Sequence, residues 1–447
     1  MKTQSLLVFA SALFLAVGLS SCDDQVIQEV IYKANVPIYM SYDEIYESIE
    51  YTETTETLEH PGKIYYYKNY LFIGERTKGV HIYDNANPTS PQKVGFVSIP
   101  GNNDIAIRGN HIYADCFTDL IVFELGDLQN MEVVKVIEDV FEYSIPEYDY
   151  TYPLATIDES IGVVIGYEVK EITETRDVSS GYYYPHYYTV EGDFGFASQS
   201  TPASFGGGVG GNTGASRNVG GGSAEGIGGS FAKFMVVEDA LYVISTLSEV
   251  SFFDITDEAN PTASGNFEPG WNIETLFFHN DNLFIGSNTG MFIYDISDRF
   301  NPRYVSDFFH ADACDPVVVE DNFAYVTLRT GTQCNGWINQ LDVLDISDIT
   351  RPNLIQSYSM TNPHGLGIDS DREMLFICDG EDGLKVYNSN DKNNITGNIL
   401  HHETGLTTYD VIPLDGILFM IAEEGLYQYD YFNPGDLKEL SVIRVGE

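Results

Sequence analysis

Six positions bring polar or ionisable side chains to the same point of a repeating unit: Asp104, Lys233, Thr275, Asp315, His364 and Asp410, with Glu274 beside Thr275. Each stands at the entry to an apolar segment. If those segments are the innermost strands of a ring of sheets, the side chains converge on one axial opening. Carboxylates and an imidazole gathered there could hold Ca²⁺, with Asp315 and Asp410 as the ligating pair, or could orient another ligand. The plainer expectation is a hydrated polar ring that caps the channel and satisfies strand-end backbone groups. Paired carboxylates such as Asp315 and Asp410 could also serve as acid and base on a glycosidic bond. Nothing local marks either as activated. The sequence holds no G-x-S-x-G elbow and no C-x-x-C or H-E-x-x-H zinc spacing, and no motif calls for a cofactor.

The elements that must position these residues are legible as a repeat. Seven segments share a third-strand signature ending in an acid or its amide: 79–84, 119–124, 249–254, 290–295, 340–345, 383–388 and 425–430. They close on Asp84, Glu124, Asp254, Asp295, Asp345, Asn388 and Asp430, in steps of 40–50 residues except for one of 130. A turn rich in Asn, Asp and Pro follows, as in NANPTSP (85–91) and ISDRFNP (296–302), and then a fourth strand. Four strands in 40–45 residues is the signature of a propeller blade. The expected fold is all-β: a seven-bladed β-propeller of four-stranded antiparallel blades over 62–445. Its blades are 62–99, 103–139, 232–267, 273–309, 315–360, 364–402 and 407–445, closed without strand exchange between the termini.

GVHIYDNANPTSP and MFIYDISDRFNP resemble the LVIVD repeat, a propeller-type repeat of bacterial and archaeal surface proteins. The resemblance implies the fold and says little of function. Blades 2, 6 and 7 lack the full Asx-Pro turn, so their assignment rests on spacing.

Residues 1–21 read as a secretory signal: Lys2, then an apolar core from Leu6 to Val17 too short to span a bilayer. Leu19-Ser20-Ser21-Cys22 resembles the lipobox of bacterial lipoproteins, which implies acylation of Cys22 and a stable two-chain anchor in the outer membrane. Cys22-Asp23-Asp24 resembles the acidic export signal of Bacteroidetes surface lipoproteins, which implies a cell-surface location. Residues 22–61 are expected to form a tether and a strap packed on the propeller. Ser41-Tyr42-Asp43-Glu44 is a capping box opening a short helix to about Ile49, and 51–60 is an extended acidic connector.

The long step hides an insertion, residues 141–231, between blades 2 and 3. Its 161–172 stretch has strand character and is expected to extend a neighbouring sheet. Residues 206–229 hold 12 Gly in 24 positions and are expected to be mobile. Tyr182, Tyr183, Tyr184, Tyr187 and Tyr188, around Pro185 and His186, either cover a blade face or stack on a sugar or partner surface. Export permits disulfides, and Cys314 with Cys334 would lie at the same rim of blade 5. Cys116 and Cys378 end equivalent second strands in blades 2 and 6 and are expected to be buried thiols.

Lys and Arg number 22 against 67 Asp and Glu, a formal net charge of −45, which excludes recognition of nucleic acid by phosphate neutralisation. Hydrophobic residues at 43% exclude a disordered chain, and 31 Tyr with 26 Phe favour strands. The sequence therefore points to an acylated, exported propeller that binds or scaffolds an extracellular ligand or partner, protein or glycan. The alternative is a propeller enzyme acting on extracellular glycans or peptides, whose activity the sequence leaves uncertain.

Overall fold

The computed structural model describes residues 27–53, 56–126, 128, 131–177, 226–310, 316–330 and 338–446. The chain divides into two compact units, Met1–Glu44 with Ile145–Gly206, and Ile45–Ser144 with Gly207–Glu447.

The larger unit is the seven-bladed propeller. Each blade is an antiparallel sheet containing four strands consecutive in sequence. The first strands are Pro61–Tyr67, Ile105–Arg108, Phe234–Val237, Ile273–His279, Val317–Glu320, Leu366–Asp369 and Thr408–Leu414. At six junctions a first strand packs against the first strand of the next blade, and at the closure Pro61–Tyr67 packs against the second strand of blade 7, Ile417–Ala422, so the first strands form the wall of the channel. The seventh sheet, Thr408–Arg444, takes no strand from the N-terminus. Blade 1 carries two additions. Tyr51–Thr52 pairs on its outer strand and Ile227–Gly228 on its inner one.

The acid that ends each third strand has a structural cause. Its carboxylate accepts the backbone N–H two residues on, in an Asx turn: Ala86 onto Asp84, Thr256 onto Asp254, Ser297 onto Asp295, Ser347 onto Asp345 and Phe432 onto Asp430. Asn388 does the same for Asn390 with its amide oxygen. Hydrogen bonds from the Thr256, Ser297 and Ser347 hydroxyls, and then these backbone bonds, hold the Asp254, Asp295 and Asp345 carboxyls below the usual carboxylate range. Blades 6 and 7 thus build the turn although their sequences lack the full Asx-Pro pattern. Blade 2, ending in Glu124, is the departure.

The next residue locks the blade. Its N–H donates to the carbonyl of the turn between the first two strands in all seven blades: Asn85 to Asn69, Leu125 to Asn110, Ile255 to Asp239, Ile296 to Asp281, Ile346 to Asn322, Ser389 to Glu373 and Tyr431 to Gly416, at 2.7–3.0 Å.

The core is a ring of apolar clusters, each between neighbouring blades. Tyr242, Phe252, Leu283 and Phe292 join blades 3 and 4, and Ile64, Leu71, Phe419 and Leu426 join blades 1 and 7. A fully buried Phe such as Phe419 contributes about 1.5–3 kcal/mol. A hydrogen bond contributes about 1 kcal/mol net but costs more when half of it is left buried and unpaired. Apolar packing therefore supplies the stability, and the hydrogen bonds select the register. At the closure between blades 7 and 1, buried Gln428 donates to Asn85 Oδ1 at 2.8 Å and Ser441 donates to Pro88 O at 2.7 Å. The C-terminal Gly446 N–H donates to Leu58 O at 2.8 Å.

The extension differs from a simple strap. In the smaller unit, Ile27–Met40 pairs antiparallel with Val163–Asp177 through fourteen register partners. The predicted strand in the insertion therefore has the N-terminal extension as partner and extends no blade. The later part of the extension lies on the propeller: Tyr51–Thr52 on blade 1, and Leu58, buried in the cluster between blades 1 and 7. The capping box forms, with Glu44 accepting from Ser41 N at 2.9 Å, and the helix runs Tyr42–Glu47. Cys116 and Cys378 are buried free thiols, and burial pushes Cys116 up to about 12. Cys22, Cys314, Cys334 and Tyr182 to Tyr188 lie outside the described residues.

Gln428→Leu should lower stability by about 1–3 kcal/mol, because it leaves the Asn85 acceptor buried and unpaired at the unlatched closure. Urea melting followed by circular dichroism measures this, and an unchanged midpoint would contradict it.

Candidate functional site

A cavity of about 740 Å³ opens where the inner strands begin, and Lys233, Glu274, His364 and Asp410 line it. Thr275 is wholly buried behind the wall, and Asp104 sits beneath, against Lys63. Asp315 lies outside the described residues.

The floor of this cup comes from the end of the insertion. Gly226 N donates to Ile107 O of blade 2 at 3.1 Å. Ile227–Gly228 then pairs with Tyr65 and Tyr66 of blade 1. Ser230 bonds Asp410 of blade 7 and accepts from Leu366 N of blade 6 at 3.0 Å. Ala232 O accepts from Leu276 N of blade 4. A segment that reaches walls on opposite sides within seven residues must run through the channel, which it plugs. The Gly-rich run is thus built into the wall at its end, Gly226 to Gly229, while 206–225 lie outside the described residues. Glycine is needed there by close approach. A Cβ on Gly229 would stand 1.9 Å from Asp410 Oδ2, and one on Gly365 2.3 Å from Asp410 Oδ1.

Two of the predicted acids hold this plug. Asp104 Oδ2 accepts from Lys63 Nζ at 2.7 Å, from Lys233 N at 2.6 Å and from Phe234 N at 3.3 Å. Asp410 Oδ1 accepts from Ser230 Oγ at 2.9 Å, Ser230 N at 3.2 Å and Val411 N at 2.9 Å. Asp410 Oδ2 has no hydrogen-bond partner among the described residues. Burial pushes its carboxyl up to about 6, against the pull of Ser230, Val411 and Lys63. Among the described residues, no group of three or more His, Cys, Asp or Glu is arranged to hold a metal ion. Asp410 is committed to the plug, so the Ca²⁺ pair drawn from sequence has one member engaged in structure and the other outside the described residues.

The sequence reading missed the cations. Lys63, Arg76, Lys233 and Arg329 line the cup with Glu75, Glu274 and Asp410, four positive groups against three negative. The whole chain has 22 against 67. Arg76, Asn288 and Arg329 each stand one residue past a second strand (Tyr70–Glu75, Asn282–Ser287 and Phe323–Leu328), at the rim where first strands begin. Aligning second-strand ends as well as first-strand starts would have found them. Arg329 Nε and Asn288 Oδ1 are buried polar atoms without a hydrogen-bond partner among the described residues. Burial pulls the Arg329 guanidinium below the ordinary arginine value, with Glu274 opposing. Burial likewise raises the Glu274 carboxyl, while Arg329 and Lys233 pull it back. His364 is pushed down to about 4, first by burial and then by Arg329, so it is neutral at pH 7. Its ring stands edge-on to Tyr409, with centroids 5.3 Å apart.

Asp410 makes stability depend on pH in a defined direction. Its folded value, about 6, lies above the unfolded one, so the native state gains stability as pH falls from above 6 toward 4. Asp410→Asn removes this dependence. Relative to wild type, the variant should be more stable at pH 7.5 than at pH 4.5, by up to about 2–3 kcal/mol. Paired urea melts at the two pH values test this, and an equal difference at both contradicts the assignment.

Comparison with known proteins bears on fold. The LVIVD repeat model matches residues 62–98 and 311–360. No curated protein matches the sequence. Similar solved structures include Saccharomyces cerevisiae Sqt1, at 7% identity, TM-score 0.49 and coverage of 87% of this chain and 86% of that one. A protein from Lactobacillus plantarum matches at 11% identity and TM-score 0.48, over 80% and 88%. The computationally designed Ika8 protein matches at 9% and 0.47, over 86% and 87%. The chain is a seven-bladed β-propeller carrying LVIVD repeats in its first and fifth blades.

Proposed function

We propose that this chain is an exported, lipid-anchored binding module whose ligand enters the plugged mouth of the propeller. The observation that carries the reading is the cup itself. It is a cavity of about 740 Å³ on rigid inner strands, within the range of small-molecule sites. Its lining mixes cations, carboxylates and unpaired buried polar atoms that a ligand would satisfy. A binding role is supported over catalysis by Asp410. The one acid of the predicted pair that is described holds the plug through two hydrogen bonds from Ser230 and abuts Gly229 and Gly365. The anchor is supported by Leu19-Ser20-Ser21-Cys22 after an apolar core, and a cell-surface address by the acidic pair Asp23-Asp24.

Cys22→Ser should move the protein from the membrane pellet to the soluble fraction, and retention in the pellet after a high-salt wash would contradict the anchor. Asn288→Trp should crowd the cup without disturbing the blades. Protein purified from its own cells and examined by native mass spectrometry should carry a bound small molecule that the variant loses while melting at the temperature of ligand-stripped wild type. An identical bound mass in both, or none in either, contradicts the cup as ligand site.

A further inference from the structure

The charge and polarity of the cup narrow what it can hold. We propose that it recognises an acidic sugar, through a single carboxylate held by Arg329 and Lys233 and through hydroxyl groups held by uncharged polar side chains. This rests on the reading of the cup as the ligand site.

Four of the 22 Lys and Arg of a −45 chain line this one cup. Lys63 is already paired with Asp104, at 2.7 Å. Arg329, Lys233 and Arg76 therefore remain as groups that can meet an incoming anion. Arg329 is half-buried, and its Nε donor is without a partner among the described residues. A guanidinium in that state gains most from a planar carboxylate, which accepts two of its N–H groups at once. Glu274 and Asp410 set the upper limit on charge. A dianionic phosphate would meet both, inside a protein that already repels anions, whereas Arg329 and Lys233 both act on the single carboxylate of Glu274, which leaves one positive charge for a monoanion.

The rest of the lining suits hydroxyls better than an apolar body. Asn288 offers an unpaired Oδ1 acceptor. His364, neutral at pH 7, presents an imidazole that both donates and accepts. Half-buried Tyr409 and Phe231 supply ring faces for the C–H side of a pyranose. At the rim, Trp271 is 62% exposed next to the lining residue Asn272, and Leu247 at 51% joins the cup to the shallow cleft that Trp271 lines. An exposed tryptophan beside the mouth is placed for a second sugar ring leaving the cup.

The test uses the mature chain carrying Cys22→Ser, with thermal melting and isothermal titration calorimetry. The probes are glucuronate, galacturonate and their disaccharides, with glucose and galactose as neutral controls and inorganic phosphate as a second anion. At least one uronate should raise the melting temperature by several degrees at millimolar concentration, while the neutral sugars and phosphate leave it unchanged. Arg329→Gln and Lys233→Gln should each weaken uronate binding by about ten- to a hundredfold, and Lys68→Gln, outside the cup, should not. Equal binding of neutral sugars, or binding unaffected by Arg329→Gln, overturns the carboxylate contact. A preference for phosphate overturns the sugar. No response to any probe overturns the proposal as a whole. Whether a native bound mass is lost in Asn288→Trp then decides separately if the cup is still a ligand site.

Discussion

One hydrogen bond, repeated seven times, sets the geometry on which the rest depends. The N–H that follows each third strand donates to the carbonyl of the turn between the first and second strands. This bond fixes where the chain leaves the sheet, and the Asx turn beside it fixes the direction. At five of the seven junctions the carbonyl four residues past the acid or amide is then delivered to the preceding blade. Tyr113 donates to Glu258 O, Tyr242 to Arg299 O, Ser306 to Ile349 O, Tyr358 to Lys392 O and Ser441 to Pro88 O. Those acceptors lie four past Asp254, Asp295, Asp345, Asn388 and Asp84. Blade 2 lacks the Asx turn, and its junction uses another acceptor, Tyr67 onto Gly109 O. A local turn thus becomes an inter-blade register, and the register brings seven strand ends to one mouth.

That mouth is shaped by what runs beneath it. A seven-bladed ring leaves an axial channel, and here the returning insertion fills it. The carboxylates of Asp104 and Asp410 answer backbone amides that the plug would otherwise bury unpaired. The same two residues tie the floor of the cup to blades 2 and 7. The cations above then face a shallow site in which charge can be matched at short range.

How much of this was legible follows from which forces are local. The blades could be read because an Asx turn needs Asp or Asn at one position and strands need a period of two, both properties of adjacent residues. Lys233, Glu274, His364 and Asp410 could be brought to one opening by the repeat alone. Their roles could not, because the partners of Asp104 and Asp410 come from Ser230 and Lys233, at the end of a Gly-rich stretch whose composition signals only freedom. Arg76, Asn288 and Arg329 escaped because they belong to a second register, past the second strands. The pairing of Ile27–Met40 with Val163–Asp177 escaped because it joins segments more than a hundred residues apart, of which only the second reads as a strand.

Hydrogen exchange across residues 226–234 tests the central claim that this segment is the channel plug. If it is, the amides of Ser230, Lys233 and Phe234 exchange as slowly as those of inner strands such as Leu366–Asp369, and Asp104→Asn selectively speeds Lys233 and Phe234. Exchange of all three at the rate of an open loop in the wild-type protein would contradict the account.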